Sequence, residues 1–135
     1  MKLKVIPYGM WSNVMDDYIK SLLTQTLDAH TILNELKGEP NDLGIIKRQV
    51  GKIEGVFKVV CKKIEELDYS SDYYVELIKA IKFYLENYDF YNVIEAYKLY
   101  DEDPARIRNM RTLVIRALEE KDLIEKIKQV IKHYN

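Results

Sequence analysis

The side chains that most often catalyse reactions or bind metals are few in this sequence and far apart. The chain has two histidines, His30 and His133. Helical proteins that bind a pair of iron atoms place Glu-x-x-His on facing helices, but the residues three positions before these histidines are Leu27 and Val130. The spacing therefore predicts no metal site, and no other motif in the sequence indicates a cofactor.

Cys61, the single cysteine, is the best remaining candidate for a nucleophile. The charges of Lys58 and Lys62 would lower the pKa of its thiol if the thiol were exposed. No histidine lies near Cys61 in the sequence to act as a base, and a buried cysteine packs as a small apolar side chain. We therefore expect Cys61 to be structural.

Acidic residues occur in adjacent pairs, at Asp16-Asp17, Glu65-Glu66 and Glu119-Glu120. Neighbouring side chains on a helix point about 100° apart, so such a pair does not converge on one substrate. Because none of these groups forms a catalytic arrangement, we expect that the protein is not an enzyme.

The stretch from residue 45 to residue 67 has the strongest structural pattern. Its apolar residues recur at alternating steps of four and three, which predicts one long helix with a continuous apolar seam and excludes a strand. Gly51 and Gly55 lie on the same helix, at a spacing that lets a neighbouring helix or a second copy of the chain approach closely. The seam consists of Ile46, Val50, Ile53, Phe57, Val60, Ile64 and Leu67.

Positive charge is concentrated on this helix. Residues 43–64 contain six bases and one acid, residues 65–105 three bases and eleven acids, and residues 106–116 four arginines and no acid. Since the net charge of the chain is −1, these blocks suit pairing with each other, within one chain or between copies, better than a general affinity for polyanions. The candidate contacts for an acidic partner or for nucleic acid are Lys47, Arg48, Lys52, Lys58, Lys62, Arg108 and Arg111.

Tyrosines are concentrated just after the basic helix. Eight of the eleven lie between residues 69 and 100, and they cannot all face one core from so short a segment. Tyrosine is common in interfaces because it buries a large area and keeps a polar tip. The alternative is a wide core with tyrosines at its rim. The candidate interface residues are Tyr73, Tyr84, Tyr88, Tyr91, Tyr97 and Tyr100.

The pattern before the basic helix predicts its partner. Residues 13–37 repeat the steps of four and three, and Gly38 and Pro40 then end the helix. Asp42 can cap the next helix. We therefore expect a long antiparallel helical hairpin over residues 13–67, on which the rest of the fold is built.

The remaining segments complete an all-α prediction of one domain, residues 1–135. Three or four shorter helices are expected over residues 72–133, one of them starting at Asp103-Pro104. Residues 1–11 are expected to form a short extended arm, because residues 2–6 alternate like a strand and no second strand follows.

One pair of segments resembles a known family. Residues 84–95 (YLENYDFYNVIE) resemble the helix-turn-helix join of a tetratricopeptide repeat, and residues 117–128 (ALEEKDLIEKIK) echo them 33 residues later, close to that family's period. The family has small residues where its helices touch, whereas this chain has Ile81, Val93 and Tyr100 there. No function is inferred from the resemblance. The matching pairs are Leu85/Leu118, Glu86/Glu119, Asp89/Asp122 and Ile94/Ile127.

Composition indicates the setting of the protein. A single cysteine cannot form an internal disulfide, which favours a reducing, cytoplasmic location. No apolar run approaches the length of a membrane span, so no membrane partner is expected. Abundant Lys, Glu, Ile and Tyr with little Gln and Cys is typical of thermophilic proteins.

Two functions remain open. The first is a non-enzymatic protein-interaction or assembly subunit, an oligomer of itself or a partner of another protein. Its support is the absence of catalytic groupings, the tyrosines, the glycine pair and the arm. The alternative is an accessory subunit of a nucleoprotein complex that contacts nucleic acid through residues 43–64 and the arginines of residues 106–116. We favour the first.

Overall fold

The computed structural model of the chain describes residues 8–66, 72–98 and 103–133. This part of the chain is helical apart from short connections and contains no strand, which confirms the predicted all-α class. None of the described helices combines the length and apolar character that crossing a membrane requires. The helices are α1 (Tyr8–Glu35), α2 (Asp42–Glu66), α3 (Asp72–Asn87), α4 (Phe90–Lys98), α5 (Pro104–Glu119) and α6 (Leu123–His133), with a 3₁₀ turn (Glu120–Asp122) before α6.

Helix α2 supplies the centre of the core and contacts α1, α3, α4 and α5. Its predicted seam residues from Ile46 to Ile64 are all buried. Phe57, in the middle of the seam, is fully buried and meets the ring of Tyr84 edge-on, with 5.2 Å between the ring centres. Leu67, the last predicted seam residue, lies outside the described residues.

Helix α1 begins earlier than the sequence predicts. It starts at Tyr8, so residues 8–11 of the predicted arm are helical. Each residue added to an existing helix gains a backbone hydrogen bond. The helix can therefore extend past Ser12, the residue before the predicted start, and no cap is needed at that position. Residues 1–7, which include the strand-like segment 2–6, lie outside the described residues.

The connection between α1 and α2 is held by Gly38 and Asp42. Gly38 is buried and has a φ angle of +82°, the left-handed conformation predicted for it. One carboxylate oxygen of Asp42 accepts N–H bonds from Gly38 at 3.0 Å and from Glu39 at 2.8 Å. The Asp42 side chain, predicted as a cap for α2, thus bonds to the turn that precedes the helix.

The start of α5 follows the prediction. The Asp103 side chain accepts the N–H of Ala105 at 3.0 Å, and Pro104 occupies the first turn. Both segments that resemble tetratricopeptide joins are connections between helices here, residues 84–95 between α3 and α4 and residues 117–128 between α5 and α6.

Candidate interaction surface on helix α2

Three glycines form a line along the outward face of α2. At about 100° per residue, Gly44, Gly51 and Gly55 lie within about 40° of one another around the helix. Gly51 is covered by the ring of Tyr91, whose nearest atoms lie 3.4 Å from where a glycine Cβ would be. Gly44 and Gly55 are exposed and have no such neighbour within 4 Å in the described structure. The fold therefore gives no packing reason for these two glycines.

Cations flank the glycine line. Arg48 and Lys58 lie within about 40° of Gly44 around the helix, and Lys52 lies at about 80°. All three side chains are exposed, and within the described part of the chain none has an acidic partner. Lys62 continues the line, and its one ion pair among the described residues is a long contact, 3.9 Å, with Glu66 on its own helix. We call the exposed set Gly44, Arg48, Lys52, Gly55, Lys58 and Lys62 the basic face.

Lys47 has a different role, because it docks α4 onto α2. Its ammonium group forms an ion pair with Glu95 and lies 4.8 Å from the ring centre of Tyr91. A shallow cleft of about 450 Å³ opens beside these residues and is also lined by Arg48 and Lys52. Lys47, which the sequence predicts as a contact for an acidic partner or nucleic acid, thus pairs with the acidic segment of its own chain.

The arginines of α5 also have structural contacts. Arg111 donates from Nε to the carbonyl of Leu33 at 2.7 Å and from its terminal nitrogen to the carbonyl of Asn34 at 2.8 Å. It therefore closes the C-terminal end of α1, where carbonyl groups lack helical partners. The stem of Arg108 lies against Gly38. The guanidinium group of Arg111 and the stem of Arg108, two predicted nucleic-acid contacts, thus lie where α1 meets α5.

The predicted tyrosine interface is dispersed in the structure. Tyr84 is only 1% exposed, and burial raises the pKa of its hydroxyl, so it is a core residue and is not available to a partner. Tyr88 stacks on Phe90 and donates to Glu120 at 2.5 Å. Tyr73 is exposed and stacks on His133, with 4.1 Å between ring centres.

Of the remaining predicted interface tyrosines, only Tyr91 borders the basic face, where it is 40% exposed. The side chain of Tyr97 and the whole of Tyr100 lie outside the described residues. The tyrosines therefore do not form one surface within the described structure, and the basic face is the more continuous feature.

Sequence reasoning missed a second polar face, on α1. Its outward residues recur at steps of four and three, opposite the apolar seam, and all are exposed. Thr24 and Thr31 donate to the carbonyls of Lys20 and Leu27, at 2.8 and 3.1 Å. The polar repeat was the available signal. We call the set Asp17, Ser21, Thr24, Asp28, Thr31 and Glu35 the acidic face.

The three carboxylates of the acidic face fall on one line. Asp17, Asp28 and Glu35 lie within about 20° of each other around α1. Within the described residues, no hydrogen bond or ion pair occupies any of them. Small side chains, Ser21 and Thr24, separate the first two.

The candidate catalytic and metal-binding residues lie apart. His30 contacts Glu119 of α5 at 3.2 Å and Asn34 of its own helix at 3.3 Å, and neither contact belongs to a metal site. No cluster of three or more metal-binding side chains occurs among the residues that the structure describes.

Cys61 is buried and has a free thiol. Burial raises the pKa of this thiol to about 11, with Glu65 adding to the effect and Lys82 opposing it. The two lysines considered from the sequence, Lys58 and Lys62, are not among the causes of the shift. The thiol is therefore uncharged at neutral pH and packs in the core.

Cys61 is expected to react slowly with a thiol reagent in the native protein and rapidly after denaturation. Its raised pKa alone lowers the thiolate fraction at neutral pH by about a hundredfold. An Ala96→Cys variant places a second thiol on an exposed position of α4 and provides the control, since that thiol should react at once. Fast labelling of Cys61 in the native wild type, followed by absorbance or mass spectrometry, would contradict its structural role.

Comparison of the chain with protein-family models, curated proteins and solved structures finds no match. The basic and acidic faces must therefore be interpreted from their own chemistry.

Proposed function

We propose that this protein is a non-enzymatic assembly subunit that binds an acidic protein surface through the basic face of α2. The observation that supports this most directly is the exposed charge of Arg48, Lys52 and Lys58, which has no acidic partner within the described residues and lies beside Gly44 and Gly55, which no described atom covers. A glycine inside a helix costs about 1 kcal/mol relative to alanine. A partner helix that approaches the backbone closely accounts for keeping glycine at Gly55, in the middle of α2.

The proposal includes the arrangement of α1 and α2 as a long antiparallel hairpin. The connection, residues 36–41, spans at most about 25 Å, whereas α2, with 25 residues, is about 37 Å long. Helices that pack along their length with so short a connection run in opposite directions. The hairpin would hold the basic face on a rigid, straight support, and the buried free thiol of Cys61 suits a cytoplasmic setting.

Nucleic-acid binding by the same face is the second candidate, favoured by the cleft beside Tyr91 and the unpaired cations of α2. The contacts of the other cations argue against it. The hydrogen bonds of Arg111 close the end of α1, and Lys47 pairs with Glu95. A nucleic-acid site would then lack Lys47 and Arg111 among its predicted contacts, so an acidic protein partner fits better.

Two labelled polyanions distinguish the candidates. A fluorescent polyglutamate peptide and a fluorescent single-stranded RNA of matched charge are titrated with the protein, and binding is followed by anisotropy. The triple variant Arg48→Glu, Lys52→Glu, Lys58→Glu should weaken polyglutamate binding about tenfold or more, since each lost contact contributes about 0.5–1 kcal/mol. The double variant Lys128→Glu, Lys132→Glu on α6, whose side chains are also exposed, should bind as the wild type does.

The outcome for RNA decides between the two candidates. Tight RNA binding with a steep salt dependence, lost in the triple variant, would replace the assembly function by the nucleic-acid function. Failure to bind either polyglutamate or RNA, together with no self-association, would overturn both. Circular dichroism of each variant shows that its helices remain folded.

A further inference from the structure

We propose that the acidic partner of the basic face is the acidic face of α1 in a second copy of this chain, so that two copies form a two-fold symmetric dimer. The inference rests on the proposed function, because it names the occupant of the same surface. Its basis is that one chain exposes two unpaired helix faces of opposite charge, each lined by small residues between its charged positions.

The two faces match in spacing as well as in sign. Asp17 and Asp28 are separated by about 16 Å along α1, and Arg48 and Lys58 by about 15 Å along α2. Ser21 and Thr24 lie between the acids, whereas Gly55, which no described atom covers, lies between the cations. Small residues on both helices allow their backbones to approach closely, and the charges then meet at both ends of the contact.

The fold places both faces where one symmetry axis can use them together. Both α1 and α2 contact α5, and the proposal places their outward faces on the side of the hairpin away from it. A two-fold axis parallel to the hairpin lays α1 of each copy on α2 of the other in antiparallel orientation. This is a closed, self-complementary contact in which each pairing occurs twice.

Symmetry also fixes the register of the contact. Because α1 ends at Glu35 and α2 begins at Asp42, a residue of α1 and a residue of α2 lie at the same height along the antiparallel hairpin when their numbers add up to about 77. A two-fold axis parallel to the hairpin does not change these heights, so the same rule pairs α1 of one copy with α2 of the other. Asp17 then falls between Lys58 and Lys62, and Asp28 falls beside Arg48 and Lys52.

The same register accounts for uncharged positions. Ser21 and Thr24 come level with Gly55. Tyr18, which is 42% exposed, comes level with Val59 on the same flank of the paired helices. The register thus brings charged, small and apolar positions of the two helices level with one another, which supports the arrangement.

Charge exchange in the predicted register tests the dimer. Sedimentation equilibrium over a concentration series should show the wild type dimerising. Asp28→Lys alone and Arg48→Glu alone should each weaken dimerisation about tenfold or more, since every substitution removes two contacts. The combined variant Asp28→Lys, Arg48→Glu should recover to within about threefold of the wild type.

A mismatched combination is the control for register. Asp28→Lys with Lys58→Glu carries the same charges as the matched pair but places them at different levels, and should not recover dimerisation. Gly55→Leu should also weaken the dimer, because the new side chain separates the helices, while thermal unfolding at low protein concentration shows that the monomer remains stable.

Three results would overturn the dimer. They are a monomer at every concentration, a dimer that ignores the substitutions on α1 and α2, and open polymers in place of a dimer. A monomer whose basic face still binds polyglutamate would assign that face to a different acidic protein and leave the proposed function in place. A monomer that also fails to bind polyglutamate would overturn the function itself.

Discussion

Replacement of Phe57 by alanine is expected to lower the free energy of unfolding by about 3–5 kcal/mol. Phe57 is fully buried at the centre of α2, where its ring meets that of Tyr84 edge-on. Truncation removes this contact and leaves a cavity in the core that α2 forms with α1, α3, α4 and α5. A domain of this size has a total stability of about 5–15 kcal/mol, so the variant should lose a large part of it.

Urea unfolding followed by circular dichroism measures the loss, at a protein concentration low enough to keep the chain monomeric. Leu113→Ala is the matched control, because Leu113 is 52% exposed on α5 and its truncation should change stability by less than about 0.5 kcal/mol. If Phe57→Ala unfolds at the same urea concentration as the wild type, the central position of Phe57 in the core is refuted.

The seam of α2 was predictable from the sequence because periodicity alone determines which face of a helix is apolar. Six consecutive steps of four and three leave one face for the core, and its described residues, from Ile46 to Ile64, are buried as predicted. The periodicity of apolar residues does not by itself say where a helix starts. The early start of α1 at Tyr8 is an example.

The candidate site was less predictable because side-chain partners come from distant parts of the chain. Arg111 and the carbonyls of Leu33 and Asn34, which accept its hydrogen bonds, lie far apart in the sequence, so charge counting assigned Arg111 to a ligand. Tyr84 was assigned to an interface because tyrosine suits both a core and a surface. In the structure, its edge-on contact with Phe57 shows that Tyr84 is a core residue.

Two glycines of α2, Gly51 and Gly55, show what the sequence and the structure each contribute. Spacing showed that Gly51 and Gly55 share a face of α2, and it left the nature of their neighbour open. The structure covers Gly51 with Tyr91 and leaves Gly55 uncovered. Two positions that look equivalent in the sequence therefore have different roles, and Gly55 is the one on which the partner proposal depends.

Gly38→Ala is expected to destabilise the protein by about 2–3 kcal/mol, the second large effect. Gly38 has a φ angle of +82°, and a left-handed conformation costs about 1–2 kcal/mol for a residue with a Cβ atom. The added Cβ would also lie 2.1 Å from Cγ of Arg108. Cγ is close to the α5 backbone, so α5 must shift or the side chain must leave the turn.

Gly55→Ala provides the matched control for Gly38→Ala, with the opposite sign. Gly55 lies in the middle of α2 with a normal helical backbone and has no atom within 4 Å of the new Cβ, so alanine should stabilise the monomer by up to about 1 kcal/mol. Chemical unfolding at low concentration compares the two variants with the wild type. If both substitutions change stability in the same direction, then either Gly38 does not need its left-handed conformation or Gly55 is covered by the chain itself. The second case would remove the main reason for placing a partner helix on α2.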